Sequence, residues 1–306
     1  MNKKIAVVGA VNIDICGKPS GILVHEDSNP GTISYSIGGV GFNIARNLAL
    51  LGNEVFFIAA LGNDRYLPDI KAEAEKYGID ISHSFILDSE NNSCYLFITD
   101  ENGDMVVAVN AMEINRHLTK ERLNSVLDFL NSCDAVLIDT NLTEDTISYI
   151  SSTVTPPVFA DSVSASKAHK IKSSIKNLTA FKPNRIEAET LTGIEITDRA
   201  SAEKAAEVLL STGLKRLFLT LGAEGVLAAE KGSILHLSPL CSRDEIVNTS
   251  GAGDAFFASA IDACLEGRSL QKSALAGLRG SRASCLCQQS VNEKISQYVN
   301  SQEENS

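Results

Sequence analysis

The sequence predicts an α/β fold: a mostly parallel sheet flanked by helices, with a small β-sheet lid. Three observations predict it. Short apolar, strand-like runs alternate with helical stretches along most of the chain, which implies βαβ units. Two β-like excursions, at about 14–37 and 93–110, interrupt that alternation and could pair with each other. Near the end of the chain, Asn248-Thr249-Ser250-Gly251-Ala252-Gly253-Asp254 feeds an apolar stretch of helical spacing, 255–265. No internal repeat or linker divides the 306 residues, so they are expected to form one domain carrying the lid segments as insertions.

The elements follow in order. Ile5-Ala6-Val7-Val8-Gly9 reads as a buried first strand closed by glycine. Asn12 and Asp14 follow at its end, on one face by alternation, with Ile13 on the other. At the carboxyl end of a parallel strand they would line a ligand crevice, although a solvated strand end is the plainer reading. After the first excursion, Gly38-Gly39-Val40-Gly41-Phe42-Asn43 runs into a helix ending at Gly52. It fails the dinucleotide fingerprint, with Ile44 at the last glycine position, and it has no Walker lysine. Asn43 could bond a hydroxyl or cap the helix.

Residues 54–61 look strand-like, 68–77 helical and 79–87 strand-like. The second excursion is a hairpin with Asn102-Gly103 as its turn signal. Then come a helix at 120–130, a strand at 135–139, a helix at 144–151 and a strand at 158–161. In Lys182-Pro183-Asn184-Arg185-Ile186-Glu187, Pro183 and Asn184 make a helix start, and Glu187 lies one turn on. Asn184 and Glu187 could hold Mg2+ through water, or Glu187 could simply be a carboxylate favoured at a helix start. Residues 217–226 read as strand, glycine turn and strand. Thr220 and Gly222 there could reach a nucleotide phosphate, or form a plain hairpin turn. Residues 269–287 read as a helix rich in small side chains.

The Gly251-Ala252-Gly253-Asp254 turn is the sharpest chemical signal. Its glycines let backbone N–H groups approach a ligand, and a helix N-terminus favours a phosphate. Asp254 is either a helix-start carboxylate or a general base toward a hydroxyl attacking phosphorus.

Composition narrows the function. A net charge of −11 argues against a nucleic-acid or anionic-membrane surface. Seven cysteines, none in Cys-x-x-Cys, and five scattered histidines suggest reduced thiols and no zinc site. The first apolar run is too short for a signal peptide, and none approaches membrane-spanning length. The expectation is a cytoplasmic protein acting on a small molecule.

Taken in order, these motifs resemble the ribokinase-like (PfkB) carbohydrate and nucleoside kinases over nearly the whole chain. The resemblance implies a Rossmann-like core with a β lid, and transfer of the γ-phosphate of ATP to a sugar hydroxyl. It implies Asp254 as the base, and the N–H groups of Gly251, Ala252 and Gly253 as an anion hole. It implies Asn184 and Glu187 organising Mg2+ and phosphate, with Thr220, Gly222, Gly225 and Ser250 along the nucleotide. Asn12, Asp14, Gly39 and Asn43 would hold the substrate, and Asn110 would face its base or ribose. Within the family, Asp27-Ser28-Asn29-Pro30-Gly31, the 38–52 stretch and Lys182 to Leu191 look most like pseudouridine kinases. Ser162 stands where that branch would have proline, and Ala111 where it would have a carboxylate. Another nucleoside or sugar, such as ribose, inosine or a ketohexose, is therefore the alternative, followed by a catalytically silent nucleoside sensor. Many members use an aspartate at the position of Asn248 around a monovalent cation, so a potassium requirement is left open. The resemblance also allows a homodimer through the lid.

Overall fold

The computed structural model describes residues 2–301. Its main sheet has eight strands: β1 (Lys4–Val8), β4 (Glu54–Ile58), β9 (Ala135–Asp139), β10 (Val158–Asp161), β11 (Ala180–Lys182), β12 (Arg216–Thr220), β13 (Val226–Glu230) and β14 (Ser233–Leu237). Their spatial order is β14-β13-β12-β11-β10-β9-β1-β4. The six from β4 to β12 run parallel, and β13 and β14 close one edge antiparallel. Alternation along each strand feeds two cores. Ala6, Val8, Ile138 and Ala160 point to one face. Ile5, Val7, Leu137 and Phe159 point to the other, against the helices Val40–Leu50 and Ala252–Leu265. Burial on both faces explains why these strands read as continuous apolar runs.

A second sheet has four strands: β2 (Asn12–Pro19), β3 (Gly31–Gly38), β7 (Ser93–Thr99) and β8 (Met105–Ala111), in the order β3-β2-β7-β8. The two excursions do pair with each other, through a parallel β2–β7 contact. The register aligns Ser36, Asp14, Tyr95 and Asn110 as one row across all four strands. The turn of the β7–β8 hairpin is fastened by Asp100, whose Oδ1 accepts the N–H groups of Asn102 (2.9 Å) and Asp104 (2.8 Å).

Several expected elements differ. Asn12 and Asp14 do not end β1; the chain leaves the main sheet at Gly9 and they begin β2. The 54–61 run divides into β4 and β5 (Ala60–Gly62), and β5 pairs with the short β6 (Phe85–Leu87) in a sheet of its own. The segment 79–84 does not extend β6. Asp80 Oδ1 accepts the N–H of Ser82, and Ser84 N–H bonds to Ile81 O, so local polar contacts turn the chain. The single helix expected at 120–130 is two, Lys120–Asn124 and Leu127–Asn131. Between them the Ser125 hydroxyl bonds to Arg122 O at 2.6 Å, competing with the helical pattern.

Candidate active site

Four neighbouring parallel strands, β9 to β12, end on polar residues: Asp139, Asp161, Lys182 and Thr220. The register sets Asp139 beside Asp161 and Asp161 beside Lys182. This is the carboxyl edge of a parallel sheet, where loops and helix N-termini meet. Lys182 Nζ lies 3.0 Å from Asp161 Oδ2, with both side chains buried. Burial alone would depress the ammonium, but Asp161, then Glu187 and Asp254, raise its pKa. Lys182 therefore stays charged beneath the Gly251–Asp254 turn.

That turn is built by two glycines used differently. Gly251 has φ 78, and a Cβ there would lie 1.9 Å from Ser290 O, so the chain path itself excludes a side chain. At Gly253 a Cβ would meet only Lys182 Nζ, at 3.5 Å. The second glycine thus leaves open space above a buried cation. The N–H of Ala252 is taken by Thr249 O at 3.2 Å, closing the turn. Those of Gly251 and Gly253 meet no acceptor among the described residues.

Asp254 is the third residue of the Ala252–Leu265 helix and does not cap it, since Gly251 holds the N-cap without a side-chain bond. Its Oδ2 accepts the Asn43 Nδ2–H at 2.8 Å, a contact between residues 211 apart in sequence. Burial, reinforced by Asp161, raises its pKa to about 7; Asn43, Lys182 and Arg46 pull the other way. The helix of Asn43 is capped by Gly39 without a side-chain bond, which leaves the Asn43 amide free for Asp254. Asp14 is also raised by burial, to about 6, against the pull of Arg46. Asn12 is buried and its side-chain oxygen has no partner among the described residues.

Asn184 and Glu187 form a reciprocal capping box at the start of the Arg185–Thr192 helix. Glu187 Oε2 accepts from Ser162 Oγ and Asn184 N, and Oε1 from Asn184 Nδ2, each at 2.7 Å. Glu187 is thus a helix-start carboxylate held by three hydrogen bonds, and it is nearly closed to solvent. Among the described residues no cluster of three His, Cys, Asp or Glu side chains is placed to hold a metal.

A cleft of about 700 Å³ brings Asn184, Thr220, Gly222, Gly225, Ala252 and Gly253 together. Ser250 flanks it, its N–H bonded to Asn248 Oδ1 at 2.9 Å. Asn110 lies at the far end of the Asp14 row, two strands or about 10 Å away. Sequence reasoning passed over Arg46, Asp161 and Lys182. Two of these had a signal: Asp161 and Lys182 are polar residues that close short apolar runs, at the carboxyl ends of β10 and β11. Arg46 had none: its bond to Asn43 matters only because Asn43 meets Asp254, 211 residues away, and its counter-ion Glu73 lies on another helix.

The chain is similar to several known kinases. The family described as pfkB family carbohydrate kinase matches residues 2–295. The chain is 34% identical to the pseudouridine kinase of Escherichia coli K12 over 294 residues, covering 95% of this chain and 93% of that protein. It is 27% identical to the guanosine-inosine kinase of Exiguobacterium acetylicum, over 90% and 92% of the two chains. A carbohydrate kinase structure from Agrobacterium tumefaciens superposes with a TM-score of 0.85 at 29% identity, covering 97% of this chain and 95% of that one.

Proposed function

The chain belongs to the pfkB family of carbohydrate kinases, and from that premise we propose that it phosphorylates the 5′-hydroxyl of pseudouridine with ATP. The observation that carries the chemistry is Asp254. A half-buried carboxylate of near-neutral pKa adjoins a nucleotide-sized cleft, and beside it stand an open glycine and a buried ammonium. The similarity to a pseudouridine kinase supports the choice of acceptor.

In this reading the nucleotide occupies the cleft along Thr220, Gly222 and Gly225, near Ser250. The nucleoside lies under the small sheet, which acts as a lid. Asp14, Asn43 and the free Asn12 oxygen meet its hydroxyls, and Asn110 faces it from the sheet's outer strand. The 5′-oxygen attacks the γ-phosphorus, the bond from that phosphorus to the β,γ-bridging oxygen breaks, and ADP leaves. The hydroxyl proton passes to Asp254. The N–H groups of Gly251 and Gly253, with Lys182 below, stabilise the charge on the transferring group. Ala252 supports the turn through its bond to Thr249.

Magnesium fits here in a limited way. Glu187 already accepts three hydrogen bonds, so it would hold the ion through water, with Asn184 beside it. Bound there, the ion would neutralise phosphate charge. A monovalent cation at Asn248 does not fit. The Asn248 oxygen accepts from Ser250 N–H, so its Nδ2 faces Gln288 O, at 2.8 Å, and an N–H stands where a cation would need an oxygen.

A second reading, inosine or guanosine as acceptor, is supported by the similarity to the guanosine-inosine kinase. A coupled ADP-release assay with Mg-ATP against pseudouridine, uridine, ribose, inosine, guanosine and fructose separates the two. Turnover is expected with pseudouridine and little with uridine. Turnover confined to another acceptor overturns the choice of substrate, and none with any acceptor overturns the kinase reading.

Outward-facing aliphatic side chains on the lid, Ile33, Leu96, Val107 and Val109, support a homodimer through that sheet.

A further inference from the structure

Behind the base lies a charged group that the phosphoryl-transfer scheme does not use. Arg46 sits one helical turn after Asn43 on the Val40–Leu50 helix and is buried. Its Nη1 bonds to Glu73 Oε1 at 2.8 Å, and its Nη2 donates to Asn43 Oδ1. The guanidinium carbon is 5.3 Å from the Phe42 ring centre and 5.6 Å from that of Tyr77. Rings on two sides and carboxylate and amide oxygens at the ends leave this cation little freedom.

The consequence follows from donors and acceptors. A guanidinium only donates, so the Asn43 oxygen must face Arg46. The Asn43 amide is planar, so its NH2 must then face the other way. That way lies Asp254 Oδ2, at 2.8 Å. Asp254 therefore receives a donor whose orientation is set one residue further back. With Arg46 gone, the amide can turn its oxygen toward the carboxylate and repel it.

We propose that Arg46 is a positioning residue for the base, acting on Asp254 through the Asn43 amide. The proposal rests on the kinase reading above and adds how the base is aimed. The charged and titratable groups facing Asp254 are Asp161 and Lys182 from the sheet edge and Arg46 from the helix behind Asn43. Arg46 also faces Asp14. Glu73 is its counter-ion, from the Leu67–Lys76 helix. Removing the guanidinium leaves two half-buried carboxylates with less compensating charge, so both should hold their protons to higher pH.

The test compares Arg46→Gln and Arg46→Lys with the unmodified kinase. For Arg46→Gln, kcat/KM at neutral pH should fall roughly ten- to a hundredfold. The acidic limb of its pH profile should move up by about one unit, so part of the loss is recovered at high pH. The KM for ATP should stay within about twofold, because Arg46 does not line the nucleotide cleft. Arg46→Lys keeps a cation that only donates and should hold the limb near its original place. A uniform loss at every pH, or an equal shift of the limb in both variants, overturns the proposal. Should Arg46→Gln not fold, Glu73→Gln serves instead. It leaves Arg46 without its counter-ion and should move the limb down; no movement or an upward one overturns the proposal.

A substrate-free readout separates this inference from the kinase reading. The pH dependence of the melting-temperature difference between each background and the same background carrying Asp254→Asn reports the Asp254 pKa directly. Arg46→Gln should move its midpoint up even if the acceptor is wrongly assigned. An unmoved midpoint overturns the inference while leaving the kinase reading intact.

Discussion

Asp254 stands under two opposed influences. A carboxylate in the first turn of a helix is stabilised in its charged form by the helix dipole. Burial and the neighbouring Asp161 act the other way and prevail, leaving the pKa at about 7. A base of that pKa can accept a proton in the transition state and return it to water afterwards. Activity should therefore fall as pH drops below about 7, since the protonated form cannot act. Asp254→Asn should lower turnover by at least about a hundredfold while nucleoside affinity stays within a few-fold. The same shift bears on stability, and its sign is fixed. The folded pKa is above that of the unfolded chain. The stability contributed by this group is thus complete below about pH 4 and is lost as pH rises through about 7. Asn at 254 removes that loss. The variant should melt a few degrees above the unmodified protein at about pH 8, with the gap closing toward pH 4. A gap that did not change with pH would mean that Asp254 ionises normally.

At the scale of the element, the decisive piece is the turn that launches the Ala252–Leu265 helix. It is stitched to the loop after the Leu270–Cys285 helix by Asn248, whose amide bonds Ser250 N–H on one side and Gln288 O on the other. Exchanging potassium for sodium or tetramethylammonium at constant ionic strength should therefore leave the rate within about twofold, since the amide already satisfies that carbonyl. Asn248→Asp should make the rate depend on the cation, because two oxygens would then face each other across the gap. A strong potassium requirement in the unmodified protein would refute this account of the turn. Helix starts of this kind were legible in the sequence where a cap has a local signature. Asn184 with Glu187 three residues later is such a case, and the structure closes that box. Where the decision lay with tertiary partners it was not legible. Residues 54–61 are continuous in apolar pattern, and only the competing pull of β1 and β6 divides them between two sheets.

For the molecule as a whole, the alternation of strand and helix was enough to expect a parallel sheet, and the two β-like excursions, one a hairpin signalled by Asn102-Gly103, were enough to expect a second small one. The site was legible only in parts, because it is assembled from contacts such as Asn43 to Asp254, which no local pattern encodes. The small sheet also has a face that the active site does not use. Register puts Asp14, Tyr95 and Asn110 on one side, and Leu96, Val109, Ile33 and Val107 on the other. Those four are 41%, 63%, 83% and 52% exposed, an unusual concentration of aliphatic surface on one face. In the proposed dimer a second copy covers it. Eight such side chains per dimer, each about half buried by the contact, would contribute roughly 6–12 kcal/mol. Rigid association costs roughly 4–15 kcal/mol, so these contacts are near the balance point and one buried charge should tip it. Sedimentation at micromolar concentration should show a dimer for the unmodified protein and a monomer for Val109→Glu, with the far-UV circular dichroism unchanged. A monomer at all concentrations would remove the second copy. A Val109→Glu protein that stayed dimeric would move the contact elsewhere on the surface.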